Sequence, residues 1–176
     1  MVRYRRNRFS GGTYFFTVVL QDRSSNYLSN NIQLLRQSFE YVRANNSYKT
    51  IAAVVLPDHL HVIWQLPKSD DDYPGRWKAI KSHFTHNITK IDASIVKNSR
   101  GEYALWQKRY WEHTIRNQQD LNTHINYIHF NPVKHGYVNH VNEWPYSTFH
   151  QYVKKGILPR DWGSDVPDFE DMKFGE

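Results

Sequence analysis

Two histidines separated by one residue, His59 and His61, are the side chains of this sequence best suited to bind a metal ion. They follow the turn dipeptide Pro57-Asp58 and begin a segment, residues 59–66, that alternates as a β-strand does. Both imidazoles therefore lie on one face of the strand. The opposite face is a predicted core stripe of Leu60, Val62, Trp64 and Leu66. Asp58 could orient one imidazole through a hydrogen bond to the ring nitrogen that does not bind the metal. A bare H-x-H pattern, however, also fits two histidines on a hydrated sheet face.

A predicted helix over residues 118–131 offers a nucleophile for the same site. Its predicted buried stripe consists of Leu121, Ile125 and Ile128. His124, Tyr127 and Asn131 follow one another at spacings of three and four, so they share a different and polar face. One helical turn, about 5.4 Å, separates Tyr127 from Asn131. A phenol and an amide oxygen can therefore address one site together.

Tyr127 could attack a phosphodiester, because a phosphotyrosine link conserves the energy of the broken bond and allows the strand to be rejoined. A phenol is mostly protonated at neutral pH, and a metal ion on the phosphate would reduce that handicap. His124, one turn away, is a candidate proton acceptor. The alternative is that Tyr127 only packs between helix and sheet, and for one tyrosine among twelve the pattern alone favours packing.

The charge of the chain is distributed unevenly along its 176 residues, a length that fits one domain. Residues 160–176 contain six acidic and two basic side chains, a net charge of −4. The formal net charge is +6, so residues 1–159 carry +10. A basic body with 15% aromatic residues fits a nucleic-acid partner. Solubility alone explains the charge about equally well.

Several classes of protein are excluded by composition. Cysteine is absent, which excludes disulfides and cysteine-ligated metal sites. The charged start of the chain has no apolar segment behind it of the kind found in signal peptides. The longest apolar run, residues 51–56, is far too short to span a bilayer. We therefore expect a cytoplasmic protein with no membrane partner.

The candidate residues need a sheet with a helix across it, and the order of the predicted elements supplies one. Strands are expected at residues 13–21, 48–56, 59–66 and 103–116, and helices at residues 29–45, after Pro74, and at residues 118–131, between an Asn117 cap and Pro132. The order β-α-β-β-α-β plus a helix predicts an α+β fold, a ferredoxin-like split βαβ antiparallel sheet with an appended C-terminal helix. Around a domain at residues 11–149 we expect a basic arm, residues 1–10, and an irregular acidic tail, residues 150–176.

With these elements in view, the sequence resembles the single-tyrosine HUH transposases, and within them the REP-associated tyrosine transposases. Five segments carry the resemblance: Gly11-Gly12-Thr13-Tyr14-Phe15-Phe16-Thr17, Leu56-Pro57-Asp58-His59-Leu60-His61, Leu105-Trp106-Gln107-Lys108-Arg109-Tyr110-Trp111, Asn126-Tyr127-Ile128-His129-Phe130-Asn131-Pro132-Val133-Lys134-His135-Gly136 and Trp144-Pro145-Tyr146-Ser147. They occur in the order of the family and span roughly residues 11–149, the expected catalytic domain.

The resemblance implies a chemistry and a metal. His59 and His61 match the paired metal ligands of the family, and Tyr127 matches its nucleophile. The implied cofactor is Mg²⁺ or Mn²⁺, and the implied reaction is cleavage of single-stranded DNA beside a small hairpin, through a 5′-phosphotyrosine and a free 3′-OH. Insertion-sequence relatives complete the metal site with a glutamine one turn after the tyrosine. Here that position is Asn131, one methylene shorter, as a candidate third ligand.

The REP-associated branch acts on repeated palindromes that carry a short guide sequence at the foot of the hairpin. Basic residues that could contact such DNA are Arg3, Arg5, Arg6 and Arg8 in the N-terminal arm, with Lys78, Lys81, Lys108 and Arg109 farther along. A disordered basic terminus and solvated surface charge explain the same residues. The resemblance also implies a bacterial, nucleoid-associated protein, as a monomer or a homodimer.

Two other functions compete with an active enzyme. One is a domesticated hairpin-binding protein with little or no catalysis, suggested by the change to Asn131 and by an acidic tail that could cover the DNA groove. The other is an RNA-binding domain that shares the split βαβ fold. The strands lack the aromatic RNA-binding signature of that class, which also gives no reason for the histidine pair.

Overall fold

Four strands form one antiparallel sheet in a computed structural model that describes residues 8–163, 174 and 175. The elements in chain order are β1 (Thr13–Val19), α1 (Tyr27–Asn30), α2 (Ile32–Asn45), β2 (Lys49–Val55), β3 (His59–Gln65), α3 (Tyr73–Ile91), β4 (Trp111–Thr114), α4 (Gln118–Lys134), a 3-10 turn (Val141–Glu143) and α5 (Phe149–Lys154). The strands lie in the order β2-β3-β1-β4, and every neighbouring pair is antiparallel. This confirms the predicted ferredoxin-like α+β fold.

The first face of the sheet packs against α2 and α3. Leu60, Val62 and Trp64 point into this core, as the alternation of β3 predicts. The rings of Trp64 and Trp77 stack at 4.3 Å between centroids, so Trp77 on α3 is a packing residue. Burying large aromatic rings in this way contributes much of the apolar stabilisation of a small domain.

The second face of the sheet is covered by α4. Its core contains Phe15 of β1, Val54 of β2 and Ile63 of β3, packed against Tyr127 and Ile128 of α4. In the sheet register His61 pairs with Thr17 on one side and Val54 on the other. The histidine pair therefore faces α4, and the side chains of β1 and β2 on that face surround it.

The helix α4 begins as predicted and ends later than predicted. The side chain of Asn117 accepts a hydrogen bond from the backbone N–H of Asp120 at 2.9 Å, which caps the start. The prediction that Pro132 ends the helix is wrong, because α4 continues to Lys134. Pro132 cannot donate to a preceding carbonyl, but it lies in the last turn, where few hydrogen bonds remain to be lost. Gly136, at a φ of 70°, then terminates the helix.

The predicted strand at residues 103–116 is reduced to β4, and most of that segment is a loop. The loop packs on α3: Trp106 donates its Nε1–H to Thr85 at 3.2 Å, and Lys81 donates to the carbonyl of Gln107 at 3.1 Å. Aromatic residues favour strands, but here the aromatic residue Trp106 lies in a loop and packs against a helix. The helix predicted at residues 29–45 is likewise divided at Asn31 into α1 and α2.

The predicted irregular tail, residues 150–176, begins within a helix, and the residues just before it pair with β2. The N–H of Val55 donates to the carbonyl of Tyr146, and the N–H of Thr148 donates to the carbonyl of Ala53, each at 2.9 Å. This pairing covers the outer edge of β2, and α5 follows directly. Within the part of the chain that the structure describes, no helix is both long enough and apolar enough to cross a bilayer.

Candidate active site

The two predicted metal ligands lie side by side at the start of β3. The ring centroids of His59 and His61 are 5.1 Å apart, and the side chains are 1% and 0% exposed. The prediction that they share a face is therefore confirmed. The face is buried and not hydrated, because α4 lies across it.

His59 is held by a carboxylate that is itself held by an arginine. Asp58 accepts a hydrogen bond from Nδ1 of His59 at 2.8 Å, and Arg23 Nε lies 2.5 Å from the other oxygen of Asp58. Burial acts to raise the pKa of Asp58, but the hydrogen bond and charge of His59 and the Arg23 guanidinium outweigh it and hold that pKa below its usual range. Asp58 is thus an ionised acceptor, which fixes the proton of His59 on Nδ1 and the lone pair on Nε2.

His61 is held in the same tautomer by a hydroxyl group. Thr17 donates its only hydroxyl hydrogen to the carbonyl of Phe174 at 2.5 Å. The Nδ1 of His61 lies 2.9 Å from the same Thr17 oxygen, so Nδ1 must be the donor of that contact. The lone pair of His61 is therefore on Nε2 as well. Nothing local in the sequence indicates Thr17, whose role depends on strand register.

When neutral, the two imidazoles would each present the lone pair of Nε2 while a partner holds Nδ1, and such a donor set fits a divalent metal ion. The residues present are therefore compatible with the ion that the family resemblance implies. The ring of Tyr127 lies 5.3 Å from that of His61, and the ring of His135 lies 5.0 Å from that of His59. Asn131 is fully buried and lies on α4 one turn from each of these two residues, so its role as a third ligand stays a prediction.

The face of α4 that carries Tyr127 is the buried face of the helix. His124, Tyr127 and Asn131 are 2%, 0% and 0% exposed. By contrast Leu121 and Ile125, predicted to be buried, are only partly buried. Apolar periodicity therefore predicted this face only in part: Ile128 is fully buried as expected, but polar side chains fill most of the buried face.

Lys134 is a site residue that the sequence reasoning missed. Its Nζ donates to the phenol oxygen of Tyr127 at 3.1 Å and lies 4.8 Å from the centroid of the ring. Residues 127 and 134 are seven positions apart, which is two helical turns. The spacing was a usable signal, but the expectation that Pro132 ends the helix concealed both Lys134 and His135.

His124, the candidate proton acceptor, belongs to a different cluster. Its Nδ1 lies 3.0 Å from Asp120, which also contacts His113 at 2.9 Å. Burial lowers the pKa of His124, and the backbone carbonyl and carboxylate of Asp120 oppose that shift only in part. The Tyr127 oxygen accepts a hydrogen bond from Lys134, whereas the Nδ1 of His124 is engaged with Asp120. The role of His124 therefore stays a prediction.

The cluster of His113, Asp120 and His124 could itself hold a metal ion, since its ligand atoms lie within 4.8 Å of one another. These atoms, however, already bond to each other and to the backbone. Asp120 accepts from the N–H of Arg116 at 2.9 Å, and the Nδ1 of His124 lies 2.8 Å from the Asp120 carbonyl. The histidine pair on β3 is the better candidate, because its Nε2 atoms are directed away from the groups that orient it.

A residue from the end of the chain packs over the candidate nucleophile. The ring of Phe174 lies 4.5 Å from that of Tyr127 and 4.5 Å from that of His124. Gly175 follows in close contact with Trp111, where a Cβ atom would collide with the indole side chain. The tail was expected to be irregular and able to cover the DNA groove, but no local pattern could have placed Phe174 on Tyr127.

The predicted DNA-binding cations are dispersed. Arg3, Arg5 and Arg6 lie outside the described residues. Arg8 pairs with Asp71 at 2.7 Å, beyond the end of β3 opposite to His59. On α3, across the sheet from Tyr127, Lys78 is exposed and Lys81 packs beside Trp106. Lys108 and Arg109 are exposed in the loop before β4. Their contacts with DNA stay predictions.

Comparison with known proteins identifies the family. Residues 8–131 match the family model described as "Transposase IS200 like". A REP-associated tyrosine transposase of Escherichia coli strain K12 is 47% identical over 169 residues, which are 96% of this chain and 95% of that protein. A Haemophilus influenzae relative named for the same group is 45% identical over 172 residues, 97% of each chain.

A solved structure of a REP-associated tyrosine transposase bound to a REP hairpin is also similar to this chain. It has a TM-score of 0.87 and 44% sequence identity, and the match covers 100% of this chain and 98% of that one. The chain belongs to the IS200-like transposases and, within them, to the REP-associated tyrosine transposases.

Proposed function

We propose that this transposase is a metal-dependent endonuclease and strand-transferase of single-stranded DNA, which cuts beside REP-like hairpins through a 5′-phosphotyrosine on Tyr127. The observation that carries the proposal is the contact between Tyr127 and His61, 5.3 Å between ring centroids. The tyrosine ring is thus beside an imidazole that could hold a metal ion, and transesterification of a phosphodiester uses a nucleophile beside such an ion.

Each side chain has a part in the proposed reaction. His59 and His61 would hold Mg²⁺ or Mn²⁺ through Nε2, with Asn131 as the third protein ligand. The bound ion supplies charge that polarises the phosphoryl oxygens and stabilises the departing 3′ oxygen. Tyr127 attacks phosphorus as the bond to the 3′ oxygen breaks, which leaves a phosphotyrosine on one fragment and a 3′-OH on the other. The reverse attack by a 3′-OH rejoins strands without an external energy source.

The proposed substrate rests on the relatives and on charge. The similar solved structure is of a protein bound to a REP hairpin. Residues 1–159 of this chain carry the net positive charge that phosphate binding requires. We therefore propose that it acts on REP-like palindromes at the nucleoid of a bacterial cytoplasm. The active form is proposed to be a monomer or a homodimer, and α4 with its own sheet already forms the candidate site within one chain.

Labelled DNA tests this proposal. We expect a REP-like hairpin with single-stranded flanks to form a denaturation-resistant adduct with the protein when Mn²⁺ is present. A label at the 3′ end should remain with the protein, and a label at the 5′ end should be released on a fragment with a free 3′-OH. Tyr127→Phe should abolish the adduct, and the matched control Tyr41→Phe, at a tyrosine 56% exposed, should not. An adduct that Tyr127→Phe still forms would remove Tyr127 from its role.

A second candidate function, hairpin binding with little catalysis, is favoured by one observation. Phe174 packs against Tyr127, which is fully buried. A scissile phosphate must reach the phenol oxygen, so this side chain has to move before the reaction. The test is whether the protein binds the hairpin tightly but forms no covalent adduct with any divalent metal ion, even after residues 164–176 are removed. That result would leave hairpin binding as the function of the protein.

A further inference from the structure

The ammonium group of Lys134 donates a hydrogen bond to the oxygen of Tyr127. The distance from Nζ to the phenol oxygen is 3.1 Å, and that from Nζ to the ring centroid is 4.8 Å. Tyr127 is fully buried and Lys134 is partly buried, so water screens this interaction weakly. Hydrogen bonds from a cation are roughly twice as strong as those between neutral groups.

The position of Lys134 is fixed by the end of α4. The N–H of His135 donates to the carbonyl of Asn131 at 3.0 Å, and the N–H of Tyr137 donates to the carbonyl of Pro132 at 3.0 Å. This closed C-terminal turn keeps residue 134 helical, two turns after Tyr127. The long lysine stem then runs back along the helix, which brings the ammonium to the phenol.

We propose that Lys134 is a catalytic residue that stabilises negative charge on the Tyr127 oxygen in both directions of strand transfer. The inference rests on the proposed function of Tyr127 as the nucleophile. During cleavage the O–H proton of Tyr127 passes to water, a bond forms between the phenol oxygen and phosphorus, and the 3′ oxygen departs and takes a proton from water. Lys134 keeps its three protons throughout and donates one hydrogen bond.

Rejoining places a greater demand on the same residue. A 3′-OH attacks the phosphotyrosine and gives its proton to water, while the bond from phosphorus to the phenol oxygen breaks. Tyr127 departs with the electron pair and then takes a proton from water. A departing phenolate in a buried site needs a positive neighbour, and an ammonium 3.1 Å away is already in place. The proposal therefore explains why a lysine lies two helical turns after Tyr127. From there its side chain extends back along the helix and its ammonium group reaches the tyrosine oxygen.

Two other roles for Lys134 predict different kinetics. A contact to a DNA phosphate would raise the dissociation constant of the hairpin and its KM. A purely structural role would lower the stability of α4. Stabilisation of the phenolate lowers the rate constant of adduct formation at saturating DNA and leaves the hairpin dissociation constant unchanged.

The test uses the full chain and a REP-like hairpin with Mn²⁺, under single-turnover conditions. We expect Lys134→Met to lower the rate constants of cleavage and rejoining by about a hundredfold or more, as loss of one donor to a developing oxyanion does. Lys134→Arg, which keeps the charge, should recover much of that loss. Lys155→Met, at an exposed lysine beyond α5, is the matched control and should behave as the parent protein.

Chemical rescue with an added amine distinguishes loss of the positive charge of Lys134 from a change in folding. Ethylammonium added to Lys134→Ala should raise the cleavage rate in proportion to its concentration, while tetramethylammonium at the same ionic strength, which has no N–H to donate, should not. Unchanged rate constants in Lys134→Met, or a loss seen only in hairpin affinity, would overturn the inference. If Tyr127→Phe still formed the adduct, the proposed function itself would fail first, so the two failures are distinguishable. Should Lys134→Ala not fold, the ratio of Lys134→Arg to Lys134→Met decides the matter.

Discussion

At the scale of single residues, the two imidazoles of the site are held by partners of different strength. His59 bonds to a carboxylate that an arginine neutralises, and His61 bonds to the hydroxyl of Thr17. A carboxylate behind an imidazole raises its basicity as a ligand more than a hydroxyl does. We therefore expect Asp58 to contribute more to metal affinity than Thr17.

Asp58→Asn removes this charge and keeps the size of the side chain. We expect the affinity for Mn²⁺ to fall by about 10- to 100-fold, because the imidazole of His59 becomes a weaker donor. Calorimetric titration of the protein with Mn²⁺ measures the change. Glu102→Gln, at an exposed position in the loop before β4, is the control for loss of one negative charge. Equal affinities for Asp58→Asn and the parent chain would show that His59 does not bind the ion.

At the scale of elements, α4 is tied to the edge of the sheet by a buried histidine. Nε2 of His129 lies 3.1 Å from the hydroxyl of Thr148, which accepts from the N–H of Ala53 at 2.9 Å. His129 is fully buried, and burial lowers its pKa from the ordinary value of 6.5 to about 3. The same short network therefore positions the helix that carries Tyr127 and makes that position sensitive to acid.

The low pKa of His129 makes stability depend on pH. The unfolded chain binds a proton at this residue near pH 6.5, whereas the folded chain binds it only near pH 3. Stability is therefore fully present above pH 6.5 and falls as the pH is lowered, by up to about 1.4 kcal/mol per pH unit from this one group. Denaturant unfolding at several pH values should show a shallower slope for His129→Asn than for the exposed control His86→Asn. Identical slopes would contradict the assignment.

The elements also show which parts of the site a sequence can predict. The alternation of β3 was enough to place His59 and His61 on one face, because strand geometry is local. Lys134 was missed because Pro132 usually ends a helix, and here it lies in the last turn of one. The inner face of α4 was predicted only in part, because polar residues are buried there beside Ile128. Sequence rules tend to fail at such sites, where chemistry replaces apolar packing.

At the scale of the whole molecule, a residue near the C-terminus packs against the first strand of the sheet. Thr17 donates to the carbonyl of Phe174, and the Phe174 ring packs on Tyr127. Contacts between residue 174 and β1 join the two ends of the described chain, and no local pattern predicts them. A closed form in which the aromatic ring covers the phenol competes with any DNA that must reach it, so the tail is expected to lower activity.

Phe174→Ala should shift the molecule toward the open form. Burial of a phenylalanine side chain contributes about 2 kcal/mol, so its loss should raise the rate of adduct formation by about tenfold or more where opening limits the reaction. Single-turnover cleavage of a REP-like hairpin measures the effect. Phe9→Ala, at a phenylalanine 54% exposed, is the control for loss of one aromatic ring. A rate unchanged or lowered by Phe174→Ala would contradict a covering role for the tail.

The central claim is that Tyr127 forms the covalent link to DNA, and mass spectrometry of the linked peptide tests it most directly. The protein is reacted with a hairpin and Mn²⁺, the adduct is digested with protease and nuclease, and the peptide that retains a nucleotide is sequenced. The account predicts one modified residue, Tyr127, with a 5′-phosphate on its oxygen. A nucleotide on any other of the twelve tyrosines, or on a serine or histidine, would contradict it.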